Sequence, residues 1–122
     1  MARNRKSLIK EADRVFSLYV RNRGARFGYN HCYTCPAYLP IEELQAGHFI
    51  NRRFFNVRWH PLNVWPQCNT CNVEKHGNLV KYKAKLIAMY SELAIDALYD
   101  LSHENNGGLS DYEIREIIDK YK

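Results

Sequence analysis

Apolar residues recur at helical spacing over residues 3–23, where Leu8, Ala12, Val15, Phe16 and Tyr19 form one stripe and Arg3, Arg5, Lys6, Lys10, Arg14 and Arg21 fill the remaining faces. The pattern predicts an amphipathic, basic N-terminal helix whose stripe needs a partner surface. Gly24 to Asn30 reads as a glycine-marked loop. From Ala37 to Val64 the apolar runs are short and broken by Pro40, Gly47, Asn51 and Pro61, which predicts irregular strands or a hairpin rather than a long helix. Helical spacing returns over residues 79–99, with Leu79, Tyr82, Leu86, Met89, Tyr90, Leu93 and Leu98 as expected buried positions. Asn105-Asn106-Gly107-Gly108 breaks the chain, and Ser110-Asp111-Tyr112-Glu113 is a capping box that opens a last short helix through Ile114, Ile117 and Ile118. The expected class is α+β in one domain over residues 1–122: a basic helix and loop at 1–28, a core at 29–78 and a helical part at 79–122.

A chain of 122 residues with 46% hydrophobic and 25% charged positions has ordinary globular composition, which excludes wholesale disorder and collagen-like or repeat architectures. Its apolar runs are too short for a membrane-spanning helix, and the basic N-terminus is not followed by the apolar region of a signal peptide. No membrane partner is expected. Charge changes the picture more. Residues 1–60 carry 11 Lys and Arg against 4 Asp and Glu, whereas residues 61–122 carry 7 against 9. A polyanion would dock on the first half.

The four cysteines fall as Cys32-Tyr33-Thr34-Cys35 and Cys68-Asn69-Thr70-Cys71, separated by 32 residues. Without a secretory signal, disulfides are disfavoured, and two C-x-x-C knuckles suit one tetrahedral zinc ion held by Cys32, Cys35, Cys68 and Cys71. A redox C-x-x-C is the weaker alternative because the motif is doubled, and four unrelated core cysteines are weaker still. The long interval between the knuckles leaves room for a functional insertion.

His48 and Asn63 lie in that interval, and Asn72 and His76 just follow it. The spacing of four residues puts Asn72 and His76 on one face of a predicted helix, where an imidazole and a carboxamide oxygen could converge on Mg2+, Mn2+ or a second zinc. Such an ion stabilises charge on a phosphodiester and its departing oxygen. His48 is then the candidate base for an attacking water, since imidazole titrates near working pH.

The order Cys32-x-x-Cys35, Gly47-His48, Asn63, Cys68-x-x-Cys71-Asn72-x-x-x-His76 resembles the HNH, or ββα-metal, nucleases that carry a zinc-knuckle frame. Closer still, Gln45-Ala46-Gly47-His48-Phe49-Ile50-Asn51-Arg52-Arg53, Arg58-Trp59, Asn63-Val64, Gln67-Cys68 and His76-Gly77-Asn78-Leu79 are similar to the phage NinG/Rap recombination proteins, over about residues 5–122. A looser resemblance runs to the endonuclease VII type of phage nuclease, in which an Asn directly after the second knuckle is a metal ligand. The resemblance implies a zinc-knuckle-framed ββα-metal core flanked by the basic helix and the C-terminal helices. It implies a phage-encoded, metal-dependent DNA endonuclease acting on branched recombination DNA, such as Holliday junctions or D-loops, in the host cytoplasm. His48 matches the general base, Asn63 the loop-holding position that orients it, and Asn72 and His76 the metal positions. Gly47 departs from the pattern, since many HNH nucleases place an Asp or His ligand there. The ion would then have fewer protein ligands, or His60 or Glu74 would substitute.

For DNA contact, Arg52 and Arg53 follow His48 closely and Arg58 lies just beyond, suited to bidentate phosphate binding without reading sequence. Arg3, Arg5, Lys6, Lys10 and Arg14 would add affinity that falls steeply with salt. Cutting both strands of a junction calls for two sites, hence a possible homodimer. Competing readings are an HNH nuclease nicking linear duplex, a zinc-stabilised DNA-binding module without catalysis, and a recombination adaptor that binds protein alone.

Overall fold

The computed structural model describes residues 4–104 and 108–122, so Arg3 and the Asn105-Asn106-Gly107 part of the predicted break lie outside the described residues. Helix α1 (Arg5–Asn22) starts where the Asn4 side chain accepts a hydrogen bond from Ser7 N at 2.8 Å. It buries Leu8, Ala12, Val15, Phe16 and Val20. These pack on Trp59, Val64 and on Ile114 and Ile118 of the last helix, α5 (Asp111–Tyr121). The capping box of α5 forms as predicted, with Glu113 N donating to Ser110 Oγ and Ser110 N to Glu113 Oε1.

Two small antiparallel sheets carry the centre of the chain. Strand β1 (Tyr29–His31) pairs with β2 (Tyr38–Pro40), and the first cysteine pair lies in the turn between them. Strand β3 (Gln45–His48) pairs with β4 (Val64–Gln67), Gln45 opposite Gln67 and His48 opposite Val64. Their connection contains the one-turn helix α2 (Phe55–Arg58) and is fastened by Asn63, which is wholly buried. Asn63 Oδ1 accepts from Ile50 N at 2.7 Å, and its Nδ2 donates to the carbonyls of Ile50 and Val57 at 3.0 Å each. The second cysteine pair follows β4 and runs into a wide helical turn, Thr70–Glu74, closed by Lys75 N donating to Thr70 O.

The β3–β4 hairpin separates two apolar clusters. Ala46 and Val64 face the α1–α5 side, while Trp65 packs with Tyr33, Phe49, Tyr82, Leu86, Ile95 and Leu98 on the other. That second cluster is built by α3 (Leu79–Tyr90) and α4 (Glu92–His103), which correct the single helix expected over residues 79–99. Ser91 breaks it with φ +104°, and its Oγ caps α4 by accepting from Ala94 N at 3.3 Å. The reversal packs α4 against α2 and α3 and resets which residues face inward. Tyr82, Leu86 and Leu98 are buried as predicted and Ile95 joins them, whereas Leu79, Met89 and Tyr90 are exposed and Leu93 is 80% exposed. Among the described residues, no helix is long and apolar enough to cross a membrane.

Candidate functional site

The two knuckles meet. One ligand atom from each of Cys32, Cys35, Cys68 and Cys71 lies within 4.8 Å of all the others, and Cys35 Sγ is 3.7 Å from Cys68 Sγ. A tetrahedral zinc with bonds of about 2.3 Å spaces its sulfurs by about 3.8 Å, so the cluster fits a structural zinc. No disulfide competes, all four thiols being free. Burial works against ionisation of Cys32, Cys35 and Cys68, but backbone amides of Cys68 and Thr34, with the Thr34 hydroxyl, outweigh it at Cys32 and hold that thiol down to about 6. Burial pushes Cys35 up to about 12. A metal would displace the remaining protons and supply the frame that ties β1–β2 to β4. Among the described residues, this is the sole cluster of three or more His, Cys, Asp or Glu side chains able to share an ion.

A separate cleft of about 340 Å3 opens where α1 crosses β3, walled by Asp13, Arg21, Gln45, His48, Arg52 and Asn72 among others. His48 sits at the end of β3 with Nε2 2.8 Å from the carbonyl oxygen of Arg58. A carbonyl can only accept, so Nε2 carries the proton and Nδ1 keeps its lone pair. Burial lowers the His48 pKa from the ordinary histidine value; the Arg58 carbonyl opposes that, and the positive charges of Arg52 and Arg58 add to it. The ring is therefore held neutral and able to accept a proton. Asn72 reaches the same cleft from the Thr70–Glu74 turn, where its Nδ2 donates to Gln45 Oε1 at 2.7 Å and leaves the carboxamide oxygen as an acceptor.

His76 does not join Asn72. The helical turn ends at Glu74, His76 takes φ +50° and Gly77 φ +94°, and Gly77 N donates to Cys71 O, so His76 stands exposed on the following turn rather than on a shared helix face. Arg58 corrects another expectation. It is 8% exposed, and its Nε and guanidinium nitrogen donate to the two Asp13 carboxylate oxygens at 3.0 and 2.6 Å, so it is a strut and not a free phosphate binder. Arg52 remains at the mouth of the cleft, 3.8 Å from Asp13, and Arg53 is exposed with its guanidinium over the Phe54 ring. On α1, Lys6 and Lys10 are exposed, Arg14 is paired with Glu11, and Arg5 ties α1 to α5 through Asp111 and the Leu109 carbonyl. Neither proposed substitute for a ligand at position 47 reaches the cleft. His60 accepts from Leu62 N beside α5, and the Glu74 carboxylate accepts from Thr70 Oγ1.

Three residues to which the sequence assigned no part in the site shape this region. Asp13 also accepts from Trp59 Nε1 at 2.9 Å, so one carboxylate fixes both Arg58 and Trp59. Its signal was an acid next to the apolar stripe of a basic helix, one of only two acids there. Gln67 is wholly buried, with Nε2 donating to Thr34 Oγ1 and Gly77 O while Oε1 has no hydrogen-bond partner. That oxygen lies against Gly47, where an added Cβ would sit 1.9 Å from it. Tyr82 closes the arrangement from α3 by donating to Gly47 O at 2.6 Å. Any side chain at position 47 would therefore have to displace the buried Gln67 side chain.

Comparison with known proteins points to one family. The family model described as Bacteriophage Lambda NinG protein matches residues 1–122. Protein ninG of Escherichia phage 933W is 30% identical over 115 residues, covering 93% of this chain and 54% of the relative. Protein ninG of Escherichia phage lambda is 30% identical over 91 residues, covering 74% and 43%. The chain therefore spans about half the length of the curated relatives it matches. No solved structure matches.

Proposed function

The chain belongs to the bacteriophage lambda NinG protein family, and from that premise we propose that it is a metal-dependent endonuclease hydrolysing phosphodiester bonds in branched recombination DNA. The observation that carries the proposal is His48, a neutral imidazole whose Nε2 proton is fixed on the Arg58 carbonyl while Nδ1 is left to accept in a cleft bordered by arginines. The strand order supports it: β3 ends in His48, Asn63 precedes β4, and Asn72 follows on a helical turn, the sequence of parts in an HNH motif.

In this reading His48 Nδ1 takes a proton from water, the water oxygen forms a bond to phosphorus as the P–O3′ bond breaks, and the departing 3′ oxygen takes a proton from solvent, leaving 5′-phosphate and 3′-hydroxyl ends. Asn63 keeps the base in place by fastening the loop that contains Arg58. Arg52 and Arg53 hold the phosphates beside the cleft, and Lys6 and Lys10 add backbone affinity. The oxygens of Asn72 and Gln45 are neutral hard donors, which suits Mg2+ or Mn2+ held mainly by water and substrate phosphate. Such an ion would supply Lewis-acid stabilisation of the departing oxygen. Two copies would serve two strands, and exposed Val80 and Leu93 offer apolar surface for pairing.

A second reading is favoured by the closed position 47: a zinc-stabilised DNA-binding module without catalysis. The test is cleavage of a labelled four-way junction beside the matching linear duplex, using zinc-loaded protein with and without added Mg2+ or Mn2+. The proposal expects ion-dependent cutting of the junction in preference to the duplex. Equal cutting of both would make it a nuclease of linear DNA, and tight binding with no cutting under either ion would leave the module.

A further inference from the structure

The outer face of the β1–β2 hairpin is aromatic and has no covering element among the described residues. Asn30 and Leu39 turn inward, whereas Tyr29, His31 and Tyr38 share the opposite face and are exposed. The Tyr29 and Tyr38 rings stack across the strands at 5.5 Å between centroids and 24° between planes, and His31 leans on Tyr38 at 4.6 Å. The zinc frame uses the cysteines and the inward residues of this hairpin, not these rings.

The turn that leads into β1 is more telling. Arg26 and Tyr29 exchange two backbone hydrogen bonds at 2.9 and 3.0 Å around Phe27 (φ +51°) and Gly28 (φ +81°), a tight turn of the left-handed I′ kind. Asn or Gly is the usual first residue of such a turn, and a bulky aromatic at positive φ is an outlier that local packing normally has to support. Here nothing supports it, since Phe27 is 99% exposed. The chain holds a phenyl ring in water, on a strained backbone, next to a stacked tyrosine pair. Charge points to the occupant. Arg26, in the turn itself, is exposed, and residues 21–40 contain no Asp or Glu, the exposed Glu42 and Glu43 lying beyond β2 and Arg23 being engaged over Trp65, so the charge beside the rings is the positive one of Arg26, which suits a polyanion. The turn also joins the His48 cleft: Ile41 N donates to Gly28 O, and Arg21, in the cleft wall, donates to Ile41 O at 3.4 Å.

We propose that Phe27, Tyr29 and Tyr38, flanked by Arg26, form a stacking surface for unpaired nucleobases of DNA. The inference rests on reading the cleft as DNA-binding and extends it from phosphates to bases. Every base has a π face, so aromatic rings bind a single strand with little regard to sequence while nearby guanidinium groups hold its backbone. Paired bases stacked within a duplex cannot reach such rings. The surface therefore favours DNA with open bases, as at a branch point or a displaced strand.

The experiment measures affinity, at fixed salt and without Mg2+ or Mn2+, of the zinc-loaded protein for a labelled oligothymidylate and for a duplex of equal length. Phe27→Ala combined with Tyr38→Ala is expected to weaken single-strand binding roughly ten-fold or more, and to change duplex binding less than about two-fold. Tyr38→Phe alone should retain the affinity, because stacking does not need the hydroxyl. Melting temperature and zinc content are read alongside, and Phe27→Gly, which relieves the turn, gives a ring-less variant that folds at least as well. Equal losses on both DNAs, or none on the single strand, overturn the proposal, as does a loss of self-association with single-strand affinity intact. His48→Ala separates the two readings. If wild type and His48→Ala alike cut nothing while ring variants still lose the single strand, the nuclease reading fails and the stacking surface stands. If cutting depends on His48 but the rings do not matter to single-strand affinity, the stacking surface alone fails.

Discussion

What a histidine can do depends on what holds each ring nitrogen, and at His48 the Arg58 carbonyl holds Nε2. Burial lowers the His48 pKa, so the folded protein binds fewer protons than the unfolded chain as pH falls below the ordinary histidine value of about 6.5. Its contribution to stability is accordingly present above that pH and lost below it. For the same reason the acid limb of a cleavage profile should lie below about 6.5, and a limb above it would contradict a buried, neutral base. Position 47 is as constrained. Gly47→Ala drives a Cβ into Gln67 Oε1 and should cost about 1–3 kcal/mol in chemical denaturation. Combined with Gln67→Ala, the two costs should sum to less than their parts; simple additivity would mean that the clash is not the cause. The cysteine cluster was legible in the sequence because the spacing and residue type of its members alone state their chemistry. Gln67 was not, because its meaning depends on Gly47, diagonally placed on the paired strand, and Asp13 was not, because its partners are 45 and 46 positions away.

At the scale of elements, α1 and α5 were readable from periodicity and caps, signals that lie within a few residues of each other. The break at Ser91 was not, since it has neither Gly nor Pro and the apolar spacing continues across it. The structure makes it a point of backbone strain, with φ +104° and ψ 159°, a region that is nearly glycine-only and typically costs about 1–3 kcal/mol. Ser91→Gly removes that strain and gives up only a few tenths of a kcal/mol as an N-cap. It should therefore stabilise the protein by about 1 kcal/mol or more, readable as a rise in melting temperature; a fall would mean that the cap matters more than the backbone. His76 escaped the sequence for a related reason. An interval of four residues implies a shared face only while the helix lasts, and here the chain turns left-handed at His76 itself.

Over the whole molecule, the cysteine cluster joins β1–β2 to the end of β4, while the apolar clusters on either side of the β3–β4 hairpin hold α1, α5, α3 and α4 around it. The cleft lies where the α1 side meets that frame, so a metal held by the four cysteines would set its geometry without contacting it. Chelating the metal is expected to lower the melting temperature by at least about 10 °C and to abolish cleavage with it; an unchanged transition would show the cluster to be no metal site. The central claim concerns chemistry at His48, and single-turnover cleavage of a pre-bound, labelled four-way junction tests it most directly, comparing wild type with His48→Ala after addition of Mg2+ or Mn2+. The account predicts a rate loss of roughly 100-fold to 10,000-fold with junction affinity and melting temperature nearly unchanged. Equal rates in the two proteins would remove His48 from the reaction and the proposed mechanism with it.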